Sequence, residues 1–155
     1  MKPDIGMTED QRLKSAAMLN VLLADEYVLY TQTLNYHWNI KSPHFAAMHE
    51  FFKEQYEDML DIVDNVAERV RALGHPALGT MQEFLSVTRL VEIHGAGIEE
   101  PDMIENLLHN HEAIIRTLRA DIEISTQHND AGTNNFLCEL IMKHEKMAWM
   151  LRSFL

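Results

Sequence analysis

The sequence predicts an all-α protein, a bundle of four long helices with an extended crossover between the second and the third. Three observations carry this. Only 6 of the 155 residues are Gly and 4 are Pro, too few for the many turns of an all-β fold. Apolar residues recur three and four apart over long stretches, which is the helical period. Capping residues, glycines and prolines divide the chain into four such stretches.

Thr8 followed by Gln11 is a capping-box pattern. Leu23, Tyr27, Tyr30, Leu34 and His37 then keep helical spacing, which gives a first helix over residues 9–39. Ser42-Pro43 reads as an N-cap with proline at the first helical position, opening a second helix that Gly74 and Pro76 end. The two helices form a hairpin. Between Gly74 and Pro101 the period weakens, except at Met81–Leu85, enough for one or two helical turns. A third helix follows the acidic start Glu99-Glu100-Pro101, carries Ile104, Leu107, His111, Ile114, Leu118 and Ile122, and ends near Thr126. The fourth starts after Asn129-Asp130 with Leu137, Leu140, Ile141, His144, Met147 and Leu151 on one stripe. Two hairpins joined by a long crossover describe the ferritin-like variety of four-helix bundle, and a cytokine-like bundle has the same count.

The length suits one domain, residues 1–155, with residues 1–8 as a flexible N-terminal tail. The opening MKPDIGMTED lacks the apolar run of a signal peptide, and no segment reaches the ~20 apolar residues of a membrane span, so a cytoplasmic protein without a membrane partner is expected. The single cysteine, Cys138, falls in an apolar helical pattern and reads as a buried, inert thiol. A net charge of -11 argues against sequence-independent DNA binding, which needs surplus Lys and Arg to displace phosphate counterions. An acidic protein suits cations better.

Nine histidines is a high count. His111 and His144 sit on apolar stripes, where a hydrogen-bonded core role outweighs a ligand role; His44, His75, His94, His109 and His128 read as loop or surface residues. No glutamate is followed by His three positions later, so the Glu-x-x-His pairs that bind iron inside ferritin-like bundles are absent. His37 and His49 remain, flanking the turn of the first hairpin in NYHWNIKSPHFAAMH, while Asp64 and Glu68 stand one turn apart on the second helix. Each pair is a plausible half site. Asp64 lies fifteen residues beyond His49, roughly 22 Å along a helix, whereas metal–ligand bonds are about 2 Å. If the four hold one ion, the carboxylates come from a second subunit, with a two-fold axis near Tyr56-Glu57 generating two identical sites. The alternative is that Asp64 and Glu68 are a solvated face, with Arg69 and Arg71 beside them.

The stretch HWNIKSPHFAAMH, then Asp64-x-x-x-Glu68-Arg69, Leu73-Gly74 and the terminal HEKMAWMLRSFL, closely resembles the Dps family, the mini-ferritins named for DNA protection during starvation. The similarity runs from about Met18 to Leu155. The resemblance implies a ferritin-like subunit with a short helix in its crossover, assembled as a hollow homododecamer of tetrahedral symmetry. It implies ferroxidase centres at the two-fold interfaces, built from His37 and His49 of one subunit with Asp64 and Glu68 of its partner. Iron is the implied metal, oxidised from Fe(II) preferentially by hydrogen peroxide and stored as ferric mineral, with no organic cofactor. Two imidazoles and two carboxylates suit that chemistry, since few protein ligands leave positions open for an oxidant. Trp38 and Tyr36 flank His37 as packing aromatics or, for Trp38 above all, as donors to a stray oxidising equivalent.

The chain departs from the family pattern in four places. Lys53 stands where many members carry an acid near the second iron, which points to single or asymmetric occupancy. Asn135 replaces a common acid near the expected three-fold iron entrance, leaving Asp130 and Asp121 as the candidate pore acids. Ser42 stands in place of Gly. DNA-binding members carry a lysine-rich tail, whereas this tail offers Lys2 against Asp4, Glu9 and Asp10, so DNA binding is doubtful.

Overall fold

A computed structural model describes residues 3–93 and 97–155; His94 and Lys2 lie outside them. The described residues form five helices, α1 Glu9–Asn39, α2 Phe45–Ala72, α3 Met81–Val87, α4 Glu100–Gln127 and α5 Ala131–Arg152. The α1/α2 and α4/α5 hairpins are the closest-packed pairs, and α3 rides on α1.

The helix ends follow the local chemistry. At α1 the Thr8 hydroxyl accepts from Gln11 N–H (3.2 Å) and the Gln11 amide from Thr8 N–H (2.8 Å), so two otherwise orphaned donors are satisfied reciprocally. At the end of α2, Gly74 adopts φ +87 and its N–H and that of His75 turn back to the Arg71 and Val70 carbonyls, a Schellman motif. Asn129 repeats it at φ 57 after α4, with Asp130 N–H donating to Ser125 O at 3.0 Å. Asp130 then caps α5, accepting from Thr133 N–H at 3.0 Å.

One end differs from the sequence reading. Ser42 is not the N-cap of α2: His44 holds that place without a side-chain bond, and the helix starts at Phe45. The Ser42 hydroxyl instead accepts from His44 N–H at 2.8 Å and its carbonyl from Phe45 N–H at 3.1 Å, closing a turn before the helix. Among described non-glycine residues only Asn129 has positive φ, so serine fits at position 42 without strain.

α2 buries one stripe, Met48, Phe51, Phe52, Gln55, Met59, Ile62, Val66 and Val70, set by three- and four-residue steps. Each fully buried apolar side chain of this kind contributes about 1.5–3 kcal/mol. The opposite face, including Glu50, Glu54, Glu57, Asp61, Asp64 and Glu68, is exposed. The crossover has few backbone partners of its own, and polar residues of α1 supply them. Asn20 accepts from Leu78 N–H, Asp25 from Arg89 N–H (2.6 Å) and the Arg89 guanidinium, and Gln32 from Ile93 N–H. These bonds fix the long connection to the first helix. Cys138 is half-buried rather than buried, with its thiol 3.9 Å from Asn134 Oδ1.

Candidate metal centre

His37 stands in the last turn of α1 and His49 in the second turn of α2, and the intervening turn stacks their rings at 3.8 Å with 21° between planes. His37 Nδ1 lies 2.7 Å from the His49 carbonyl oxygen, and His49 Nδ1 lies 2.9 Å from the His37 carbonyl oxygen. A carbonyl only accepts, so both Nδ1 atoms carry the hydrogen and donate. Both Nε2 atoms are thereby left with a free lone pair. This is how metal-ligating histidines are oriented, by a second-shell bond from the other nitrogen. The His37 carbonyl is one of the orphaned acceptors at the end of α1, so the bond also completes the helix terminus. Phe45 stacks on the outer face of His49 (5.0 Å) and Tyr56 meets His37 edge-on (5.2 Å), which fixes both rings.

Asp64 and Glu68 are exposed on the outer face of α2, and among the described residues neither side chain has a hydrogen bond or ion pair. The arginines beside them are engaged elsewhere. Arg69 donates to Thr133 Oγ1 (2.9 Å) and Asp130 (2.8 Å), and Arg71 to the His75 carbonyl (2.9 Å). Among the described residues no three His, Cys, Asp or Glu side chains of one chain come together as a metal site. Within the described residues of one subunit, the imidazole pair His37/His49 and the carboxylates Asp64 and Glu68 thus do not come together.

Lys53 lies one turn beyond His49, its ammonium 3.4 Å from Glu50. The hydrogen bond to Glu50 and the charges of Glu50 and Glu57 raise its pKa, so it is cationic at any physiological pH. Trp38 is 68% exposed and touches no other ring among the described residues. The aromatic against His37 is Tyr56, a residue distant in sequence. Tyr36 turns the other way, donating to Asn106 Oδ1 at 2.8 Å, and burial pushes its pKa up to about 12.

Asp130 and Asp121 are both buried inside the subunit. Asp130 is bonded to Thr133 and Arg69, which hold its carboxyl below the usual range against the effect of burial. Asp121 lies 3.8 Å from the Arg89 guanidinium, too far for a hydrogen bond, and burial raises its pKa. Asn135 is exposed and donates to Glu139 at 2.9 Å.

The bundle interior holds a polar chain that sequence spacing shows only in part. His144 Nε2 lies 2.9 Å from Glu26 Oε1 and its Nδ1 lies 3.0 Å from His111 Nδ1, with all three side chains buried. His111 and His144 are hydrogen-bonded core histidines, as their stripes imply; Glu26 has no period that would reveal its partner. Burial, and then the charge of His144, push His111 well below the ordinary histidine range.

A family model for the ferritin-like domain matches residues 16–155. An uncharacterised low temperature-induced protein of Nostoc is 40% identical over 153 residues, covering 98% of this chain and 86% of the relative. DNA protection during starvation protein 2 of Bacillus anthracis is 35% identical, covering 89% of this chain and 94% of that protein. Among solved structures, DpsC from Streptomyces coelicolor superposes with a TM-score of 0.96 at 29% identity, over 99% of this chain and 90% of that one. The Dps protein of Vibrio cholerae, described as a member of a broad superfamily of ferritin-like diiron-carboxylate proteins, gives 0.93 at 29% identity, over 99% and 96%. With its long crossover, its short α3 and the paired histidines at the first hairpin, the chain belongs to the Dps family of the ferritin-like superfamily.

Proposed function

We propose that this protein is a ferroxidase mini-ferritin, which oxidises Fe(II) with hydrogen peroxide at centres shared between subunits and stores the ferric product in a hollow dodecamer. The observation that carries the reading is the reciprocal Nδ1–carbonyl bonding of His37 and His49, which leaves two Nε2 lone pairs side by side. Asp64 and Glu68, exposed and unpaired, are the complementary half, brought in by the partner across a two-fold axis. In the assembled centre, two imidazoles and two carboxylates hold Fe(II) as substrate and leave open positions for peroxide. Two Fe(II) reduce one peroxide to two waters, which removes iron and oxidant together without releasing hydroxyl radical.

Four ligands act here as one site, so the test removes half of it. The protein is loaded anaerobically with Fe(II), hydrogen peroxide is added, and ferric absorbance is followed in the wild type and in a His37→Ala/His49→Ala double variant. The double variant is expected to lose the fast phase; equal rates would sink the assignment. With a net charge of -11, no gel retardation of DNA is expected at physiological salt and stoichiometric protein.

A further inference from the structure

Asp64 and Glu68 stand in the C-terminal third of α2, and there the helix is not closely packed on α5. The seam between the two opens into a cleft of about 170 Å³ lined by Asn65, Phe136 and Lys143, and, nearer the start of α2, into one of about 280 Å³ lined by Gln55, Asp58 and Met147. Among the described residues, Arg69 alone joins α2 to the start of α5 by side-chain hydrogen bonds. It is the residue after Glu68. Its Nε donates to Thr133 Oγ1 at 2.9 Å and its Nη2 to Asp130 Oδ1 at 2.8 Å. Thr133 donates its hydroxyl to Asp130 Oδ2 at 2.6 Å and its N–H to Asp130 Oδ1 at 3.0 Å, so both arms of the guanidinium end on one closed, buried ring of bonds. Gly132 leaves room for it: a Cβ there would lie 2.9 Å from Arg69 Nη2 and 3.3 Å from its Cζ.

We propose that Arg69 is a positioning residue for the metal centre: by pinning the end of α2 to the Asp130–Thr133 turn, it sets the angle at which Asp64 and Glu68 are presented to the histidine pair of the partner. The inference rests on the ferroxidase reading above. Arg69 touches neither carboxylate and acts through the helix. Arg71, two residues on, bonds only the His75 carbonyl at the end of its own helix, so it has no hold on α5.

The helix is the lever. Asp64 stands about 7.5 Å along the axis from Arg69 and Glu68 about 1.5 Å, so the three turn together as one rigid segment. A rotation of about 10° carries a carboxylate that stands about 6 Å from the axis through about 1 Å. A misplacement of that size costs about 100-fold where reacting groups must meet. Charge works in the opposite direction. A guanidinium near two carboxylates repels a metal cation, so an Arg69 that acted by its charge alone would weaken metal binding, and its removal would tighten it.

The test titrates the assembled protein anaerobically with Co(II), whose visible bands report both affinity and ligand geometry, and follows ferric absorbance at saturating Fe(II) with peroxide in parallel. Three variants are compared with the wild type. Arg69→Gln removes the clamp and its charge. Gly132→Ala displaces the guanidinium while keeping every charge, and alanine is the better helix former, so this variant decides the matter if Arg69→Gln does not assemble. Arg71→Gln removes a neighbouring charge and leaves the clamp intact. Arg69→Gln and Gly132→Ala are both expected to shift the Co(II) bands, to weaken Co(II) binding about tenfold or more, and to slow iron oxidation by about 10- to 100-fold. Arg71→Gln should do none of these. Unchanged or tighter Co(II) binding in Arg69→Gln, unchanged binding in Gly132→Ala, or an equal loss in Arg71→Gln would each overturn the positioning role. Co(II) binding and iron oxidation that survive His37→Ala/His49→Ala would instead overturn the ferroxidase reading, and the positioning role with it.

Discussion

Lowering the pH from 7 to 5 strains the buried chain Glu26–His144–His111, and the size of the effect follows from the geometry. His111 is fully buried against His144, and burial first, then the charge of His144, hold its pKa well below the ordinary value of 6.5. In the unfolded chain the imidazole returns to about 6.5 and binds a proton that the folded chain refuses. The sign is therefore fixed: the stability held by neutral His111 is complete above pH 6.5 and is lost as the pH falls below it. Each unit of pH is worth about 1.4 kcal/mol for one proton, so pH 5 costs at most about 2 kcal/mol. For a chain of this length that ceiling is about 4–8 °C in Tm. His111→Met removes the titrating group while filling the space. Thermal melts of the assembled wild type and variant, followed by circular dichroism at both pH values, make the comparison, since every other titrating group is common to the two. The wild-type Tm is expected to drop by up to that amount more than the variant's. Equal drops would refute the linkage of this site to stability.

Two further outcomes follow from single positions. Lys53→Asp places an acid one turn from His49, and is expected to raise Fe(II) bound per centre toward two, as read by anomalous diffraction at the iron edge; two equally filled sites already present in the wild type would contradict the role given to Lys53. Gly74→Ala forces a side chain onto φ +87 with its Cβ 2.6 Å from Pro3, and is expected to cost at least about 1–2 kcal/mol from the left-handed backbone alone, measured as a lower urea midpoint.

The helices were legible because their ends are written in local chemistry. Thr8 with Gln11, Gly74, and Asn129-Asp130 mark termini through bonds to neighbours within a few residues. Ser42 misled for the same reason, since a serine before proline also closes a turn, and its hydroxyl serves His44 N–H rather than a helix start. The separation of His49 from Asp64 within one subunit was legible from helical rise alone. What locks the imidazoles was not, because the Nδ1–carbonyl bonds depend on how two rings face each other across a hairpin. Contacts between elements left no periodic trace: Asp25 holds Arg89, and Glu26 holds His144, more than sixty and more than a hundred residues away. Trp38 shows the converse, adjacent to His37 in sequence yet pointing to solvent, while Tyr56 reaches the ring from the next helix.

In the proposed assembly each centre takes its histidines from one subunit and its carboxylates from another. Co-assembling equal amounts of a His37→Ala/His49→Ala chain with an Asp64→Ala/Glu68→Ala chain tests it, because neither parent can form a centre. If subunits pair at random across two-fold axes, half of the pairs are mixed, and each mixed pair has one intact and one doubly defective centre. The mixed assembly should then oxidise Fe(II) with peroxide at about a quarter of the wild-type rate. A mixture as inactive as its two parents would show that the four residues do not meet across an interface.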